Sequence, residues 1–212
     1  RVNSTVATQS LMMLNGEFIL SQSEKLAERI AREAISLPEE KLKTLPTIPS
    51  PKRSQWSYGF GKYNAEAGQL DSFQPLAHWT GSQWQASENL PDPQYGWVLL
   101  NQSGGHPDSV ERSVIRRWKA ADSGTAKIQG TLSHGSPNGD GVRGRIIINQ
   151  STTAGSWEIK KGSIDTNLDD IQINKGDLVD FVTESIESHT SDSFNWPVAI
   201  KLVNSASKVI TI

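Results

Sequence analysis

From Trp56 onward the chain is written in short runs of alternating apolar and polar residues, interrupted by clusters of Gly, Pro, Asn and Asp. A period of two with such breaks predicts strands joined by turns. The predicted strands are Trp56 to Tyr63, Gly96 to Leu100, Ser113 to Ala120, Thr125 to Leu132, Val142 to Ile148, Ser156 to Ile159, Ile171 to Asn174, Leu178 to Thr183, Val198 to Val203 and Lys208 to Ile212. Short strands at this density, with almost no helical periodicity between them, predict a mainly β fold: an antiparallel two-sheet β-sandwich, jelly-roll-like in organisation.

Phase within the strands says which faces are wet. Ala126, Ile128 and Gly130 alternate with Lys127, Gln129 and Thr131, which predicts one solvated face. Ile146, Ile147 and Ile148 are apolar on both faces and predict a central or covered strand. Asn174-Lys-Gly-Asp177 supplies a tight turn between Ile171 and Ile173 on one side and Val179 and Phe181 on the other. Trp56, Tyr58 and Phe60 are in phase, while Tyr63 is out of phase with them. Trp97 and Trp118, set among Val98, Leu99, Val114 and Ile115, are expected to fill the core.

The pattern changes before residue 54. Thr5 to Leu14 is a short apolar segment, Asn15-Gly16 a stop, and Glu17 to Ile35 an amphipathic helix with Ile19, Leu26, Ile30 and Ala34 on one stripe. Its other side carries Glu24, Lys25, Glu28, Arg29 and Arg32, a solvated face with Glu28 and Arg32 at the favourable i,i+4 spacing. Leu45-Pro-Thr-Ile-Pro-Ser-Pro51 denies both helix and central strand. The expected organisation is a helical segment at 1–45 that closes a preceding domain, a Pro-rich linker at 46–53, and a β-sandwich at 54–212.

Composition narrows the chemistry. A net charge of -2 with no long basic run argues against nucleic acid as partner. No apolar segment approaches the roughly 20 residues of a membrane span, and no signal peptide opens the chain. The absence of cysteine removes disulfides, thiolate zinc sites and cysteine nucleophiles from these residues. The four histidines, His78, His106, His134 and His189, accompany no Gly-x-Ser-x-Gly elbow, phosphate loop, dinucleotide fingerprint or His-x-x-x-His pattern. No catalytic residue is assigned, and the chain is expected not to be an enzyme; a hydrolase would need two carboxylates facing each other across a cleft.

Aromatic residues in polar surroundings are more informative. His78-Trp-Thr-Gly-Ser-Gln-Trp-Gln85 is a Gly-broken loop with two large rings. A sugar's C–H face stacks on an exposed indole while amides and carboxylates bond its hydroxyls. Trp79 and Trp84 are therefore candidate platforms, with Gln83, Gln85 and Asp92 as hydroxyl partners and Trp56 and Tyr58 as further aromatics. The alternative is that both tryptophans pin a long loop onto the sandwich. Asn138 and Asp140 in Ser136-Pro-Asn-Gly-Asp-Gly141, with Asp192, offer hard oxygens of the kind calcium takes, although turn chemistry also accounts for them. Such an ion would be structural; no cofactor is required.

Specific segments resemble a known family. Arg1-Val-Asn-Ser-Thr-Val-Ala-Thr-Gln-Ser-Leu11 with Leu14-Asn15 resembles the end of a helical domain of unknown function in large planctomycete-type proteins that also carry cytochrome c modules. Trp56-Ser-Tyr-Gly-Phe-Gly61, Pro75-Leu-Ala-His-Trp-Thr-Gly-Ser-Gln-Trp84, Pro91-Asp-Pro93 with Gly96-Trp97, Gly104-Gly-His106, Ile115-Arg-Arg-Trp118, Gly139-Asp-Gly-Val-Arg143, and Lys175-Gly-Asp177 with Ser191-Asp-Ser-Phe194 are similar to their C-terminal β-domain. The resemblance implies a secreted, periplasmic or cell-surface protein whose sandwich is organised like a carbohydrate-binding module. The leading expectation is thus non-catalytic binding of a polysaccharide or oligosaccharide. The rival is a structural module that docks the helical and cytochrome-bearing domains of its own polypeptide.

Overall fold

The computed structural model describes residues 55–109 and 111–203, together with Lys25, Leu26 and Arg29. By contacts the chain separates into two compact units, Arg1–Arg53 and Ser54–Ile212. In the first, Lys25, Leu26 and Arg29 are helical and exposed; Leu26, expected on the buried stripe, is 56% accessible. The remainder of the expected helix, the Pro-rich linker and the strand expected at Lys208 to Ile212 lie outside the described residues.

Among its described residues, the regular structure of the second unit is all strand. Its first part comprises β1 (Trp56–Gly61), β2 (Tyr63–Asn64), β3 (Gln69–Leu70), β4 (Gln74–Pro75), β5 (His78–Trp79) and β6 (Trp84–Gln85). There follow β7 (Leu99–Leu100), β8 (Gly104–His106), β9 (Ser113–Lys119), β10 (Gly124–His134), β11 (Val142–Ile148) and β12 (Thr152–Ile159). The last are β13 (Gly162–Asp165), β14 (Leu168–Ile173), β15 (Leu178–Ser185), β16 (Phe194–Asn195) and β17 (Val198–Val203). One sheet runs β12-β11-β15-β9-β1-β4. The other runs β13-β10-β16-β8-β7-β6-β5, with β14 and β17 also paired to β10, and β2 and β3 form a separate hairpin. The two large sheets make the expected antiparallel sandwich.

Alternation decides what goes between them. Val114, Trp118, Val142, Ile146, Val179 and Phe181 of the first sheet meet Leu100, Ala126, Ile128, Leu132 and Phe194 of the second. Trp196, fully buried, sits at the centre, edge-on to Phe181 with centroids 5.7 Å apart. Gly144 makes room for it: a Cβ there would stand 3.0 Å from the Trp196 ring and 2.8 Å from Leu132. Lys127 and Gln129 of β10 point outward as their phase predicts.

The outer face of the first sheet is covered as well, which explains the uninterrupted Ile146-Ile-Ile148. Ile115, Ile147 and Val182 pack with Leu70 beneath Tyr63 and Phe73. Tyr63, out of phase with Trp56 and Tyr58, belongs to this second cluster for that reason. Arg117 lies 4.0 Å over the Phe73 ring and Arg145 3.9 Å over Tyr63, each with a carboxylate partner: Asp180 at 2.6 Å and Glu184 at 2.6 Å. The turn at Asn174 to Asp177 forms as expected, with Gly176 at φ +94°, the Asp177 amide donating to the Asn174 carbonyl and the Asn174 amide to the Asp177 carboxylate.

Candidate functional site

The loop from His78 to Gln85 folds into the hairpin β5–β6, with Trp79 directly across from Trp84 and His78 across from Gln85. Cross-strand partners share a face, and Trp84 in turn opposes Leu100, a core residue. The two tryptophans therefore lie on the core-facing row at the edge of their sheet. Trp84 is half-buried and stacked on Tyr58, centroids 5.9 Å apart and planes within 18°. Trp79 leans on Trp84 at 5.0 Å and remains 38% exposed. Trp84 pins the hairpin to the sandwich, and Trp79 presents the free face.

Tyr58 also borders a cleft of about 230 Å³ between the sheets, lined by Trp56, Tyr58, Gln102, Arg116 and Val198. Tyr58 stands opposite Arg116 across β1 and β9. Arg116 shares its phase with Val114 and Trp118, so its side chain enters the interior, where it donates to the carbonyls of Gln102 (3.2 Å) and Trp196. Burial pulls its pKa down to about 10. The signal for this placement in the sequence is its alternation: position 116 is in phase with the core residues Val114 and Trp118.

The expected hydroxyl partners divide. Gln83 is half-buried beside Trp84, and its carbonyl closes the turn by accepting from the Thr80 amide. Gln85 corrects the expectation: in phase with Leu99 and His106, it is buried, 5% accessible, on the other side of the hairpin from the tryptophans. Asp92, partly exposed, uses its carboxylate in its own turn, accepting from the Ser87 hydroxyl (2.5 Å) and the amides of Gln94 and Tyr95 (both 2.8 Å). These bonds, Ser87 foremost, hold its pKa below the usual carboxylate value.

Trp97 also departs from expectation. It lies in phase with Leu99, opposite the core residues Val98 and Leu100, and is 40% exposed. Both phases of Gly96 to Leu100 are apolar, so alternation does not choose its face. It borders a second pocket of about 370 Å³ with Leu99, His106, His189 and Ser193. His106 has its Nδ1 2.5 Å from the Pro107 carbonyl, and burial lowers its pKa.

The residues considered for a cation come partly together. Asn138 is exposed on its loop. Asp192 is fully buried, as is Ser185, and neither Asp192 oxygen nor the Ser185 hydroxyl has a hydrogen-bond partner. One oxygen of Asp140 is likewise buried and unpartnered, while the other accepts from the amides of Glu187 and Ser188. Burial and the neighbouring Asp140 raise the Asp192 pKa; the Gly141 amide and Ser185 hydroxyl oppose this without reaching hydrogen-bond geometry. Gly139 is required here, since a Cβ would fall 2.5 Å from Asp192 Oδ1. His134, fully buried, places Nε2 3.5 Å from Asp192 and 3.0 Å from the Ser191 carbonyl. Among the described residues no group of three or more His, Asp or Glu side chains converges as a metal-ligand set. None of the clefts described is lined by two carboxylates.

Neither a family model nor a curated protein matches the chain. Solved structures that do match include a family 35 carbohydrate-binding module from an environmental isolate, 18% identical over 47% of this chain and 78% of that one, TM-score 0.31. Others are the carbohydrate-binding module CBM36 in complex with calcium and xylotriose (18% identity, 42% of this chain, 73% of that one, TM-score 0.31) and a family 35 module from Clostridium thermocellum (12%, 69%, 89%, 0.30).

Proposed function

We propose that the sandwich is a glycan-binding module, without chemistry of its own, of a larger exported protein. The observation that carries this reading is Trp79: an indole 38% exposed yet held in place by Trp84, itself stacked on Tyr58. A ring fixed in this way loses little freedom when a sugar stacks on it. Its neighbour Gln83 supplies an amide for hydroxyl groups, and the row continues through Tyr58 to the cleft beside Trp56. The docking alternative expects both tryptophans packed inside, which suits Trp84 and not Trp79. Affinity electrophoresis through a panel of polysaccharides tests the proposal. Retention by at least one polysaccharide is expected, weakened about tenfold in Trp79→Ala, the scale of one lost aromatic stack with its buried area. A panel that retards nothing, or a variant retarded like the parent, overturns it.

The buried oxygens of Asp192, Asp140 and Ser185 support a second, structural role. Carboxylate oxygens shut away without donors are costly, and a calcium ion takes oxygen ligands of this kind. Asp192, Asp140 Oδ1 and the Ser185 hydroxyl would hold it; the bound ion would supply positive charge that fixes the loops at 135–141 and 186–192. With calcium at about a hundred times its dissociation constant, melting rises by about 5–10 °C over the chelated protein.

The pH dependence follows from the raised Asp192 pKa. Without the ion, this group's contribution to stability is full below its ordinary value of 3.8 and is lost as pH rises through the raised folded value. Calcium competes with that proton, so its increment is largest at neutral pH and fades on acidification. Asp192→Asn abolishes both effects. Melting curves with calcium and with chelator at several pH values check this, and identical curves contradict it.

A further inference from the structure

The pocket beside Trp97 brings together two of the four histidines, and glycan stacking at Trp79 uses neither. Trp97, Leu99 and His106 share one phase on the second sheet, Leu99 and His106 as cross-strand partners. The loop between β15 and β16 lays His189 against them, and the pocket they line has a volume of about 370 Å³. The two imidazole centroids are 6.5 Å apart, with planes at 71°. His106 Nδ1 lies 2.5 Å from the Pro107 carbonyl oxygen. A carbonyl can only accept, so Nδ1 carries the proton and the neutral ring presents Nε2 as a lone pair. Burial, which lowers the pKa of His106, favours that neutral form. Among the described residues no hydrogen bond engages His106 Nε2 or either ring nitrogen of His189. The other two histidines differ. His134 has both ring nitrogens against backbone carbonyls, those of Lys160 and Ser191. His78 continues the row through Gln85 and Leu99 to His106 but stands three strands away, about 14 Å at the usual strand spacing.

We propose that His106 Nε2 and His189 together bind one divalent transition-metal ion of the zinc or copper(II) type, tying the loop at 186–193 to β8 beside Trp97. Imidazole suits these ions, whereas calcium takes oxygen, so the pocket differs in chemistry from the carboxylates of Asp140 and Asp192. The bond from Nδ1 to a backbone carbonyl is the outer support that fixes the ring of a metal-binding histidine and raises its basicity. Metal–nitrogen bonds of about 2.0–2.1 Å at a tetrahedral angle bring two imidazole centroids to roughly 5 Å, so the rings must close by about 1–1.5 Å. That movement falls to His189, whose loop holds no strand, while His106 is fixed in register on β8. Two protein ligands leave the remaining positions to water or to a donor entering over Trp97. The inference does not depend on glycan binding.

Calorimetric titration of the full chain with zinc chloride, in calcium sufficient to saturate the carboxylates, tests this. One zinc ion per chain is expected. Binding weakens at least roughly tenfold in His106→Ala and likewise in His189→Ala, since even an outer partner of a metal ligand is worth about ten- to hundredfold, and His78→Ala binds as the parent does. The unmodified protein gives a reading that needs no variant: substoichiometric copper(II), through its unpaired electron, broadens the Trp97 indole N–H resonance before that of Trp79. Zinc binding that survives both histidine variants, that is weakened in only one of them, or that saturating calcium abolishes overturns the proposal, as does copper(II) that leaves Trp97 sharp. A chain that binds no zinc overturns it too and leaves glycan binding at Trp79 standing.

Discussion

Replacing Trp196 by alanine lowers the stability of the sandwich by about 4–7 kcal/mol and its melting temperature by about 10–25 °C. Two losses combine. The first is the cavity: Trp196 is fully buried between the sheets, edge-on to both Phe181 and Trp157, with Gly144 against its ring. Removing so large a side chain from a packed interior costs about 3–5 kcal/mol. The second is a stranded polar group. The indole N–H donates to the Thr166 hydroxyl at 2.8 Å, and Thr166 is itself fully buried; leaving such a group without its partner costs about 1–3 kcal/mol. Against a total of about 5–15 kcal/mol for a domain, most of the stability goes. Trp196→Phe keeps much of the ring and loses the bond, so it falls between. Urea denaturation measures both, and a loss under about 2 kcal/mol for the alanine variant refutes the central placement of Trp196.

The second large effect concerns charge. Asp180 is fully buried, directly across from Arg117 on the neighbouring strand, and accepts from Nε at 2.6 Å and Nη2 at 2.9 Å. Burial raises its pKa in spite of Arg117, so desolvation outweighs the attraction for this group. A pair of this kind need not be strongly stabilising as a whole, yet removing one member strands the other. Asp180→Ala leaves the Arg117 guanidinium unpaired over Phe73 and is expected to lose about 3–5 kcal/mol. The double variant Arg117→Met with Asp180→Leu removes both charges and fills the space, recovering most of that loss. Equal destabilisation in the single and double variants, measured by urea denaturation, contradicts this account.

The long strands were legible because their physics is local. Alternation in Thr125 to Leu132 marked the inward face of β10, and the uninterrupted isoleucines at 146–148 marked a strand covered on both sides. The pairs β4, β5, β6, β7 and β16 are two residues long, too short for any period to show; they are held in register by neighbours distant in sequence. At the site, the same alternation rule would have put Arg116 on the core face with Val114 and Trp118. It offered no help with Trp97, whose two phases are both apolar. Gln85 marks the limit of the rule, because a polar side chain reads alike in sequence whether it faces water or the interior.

The claim that a glycan stacks on Trp79 is tested most directly by watching its ring. The chain has 7 tryptophans, and each contributes one indole N–H resonance in a nitrogen–proton correlation spectrum, assignable by single replacement. Titration with soluble oligosaccharides is predicted to shift the Trp79 resonance most, Trp84 behind it less, and those of the buried Trp118 and Trp196 least. Spectra in which no saccharide moves Trp79, or in which every shift lies elsewhere, contradict it.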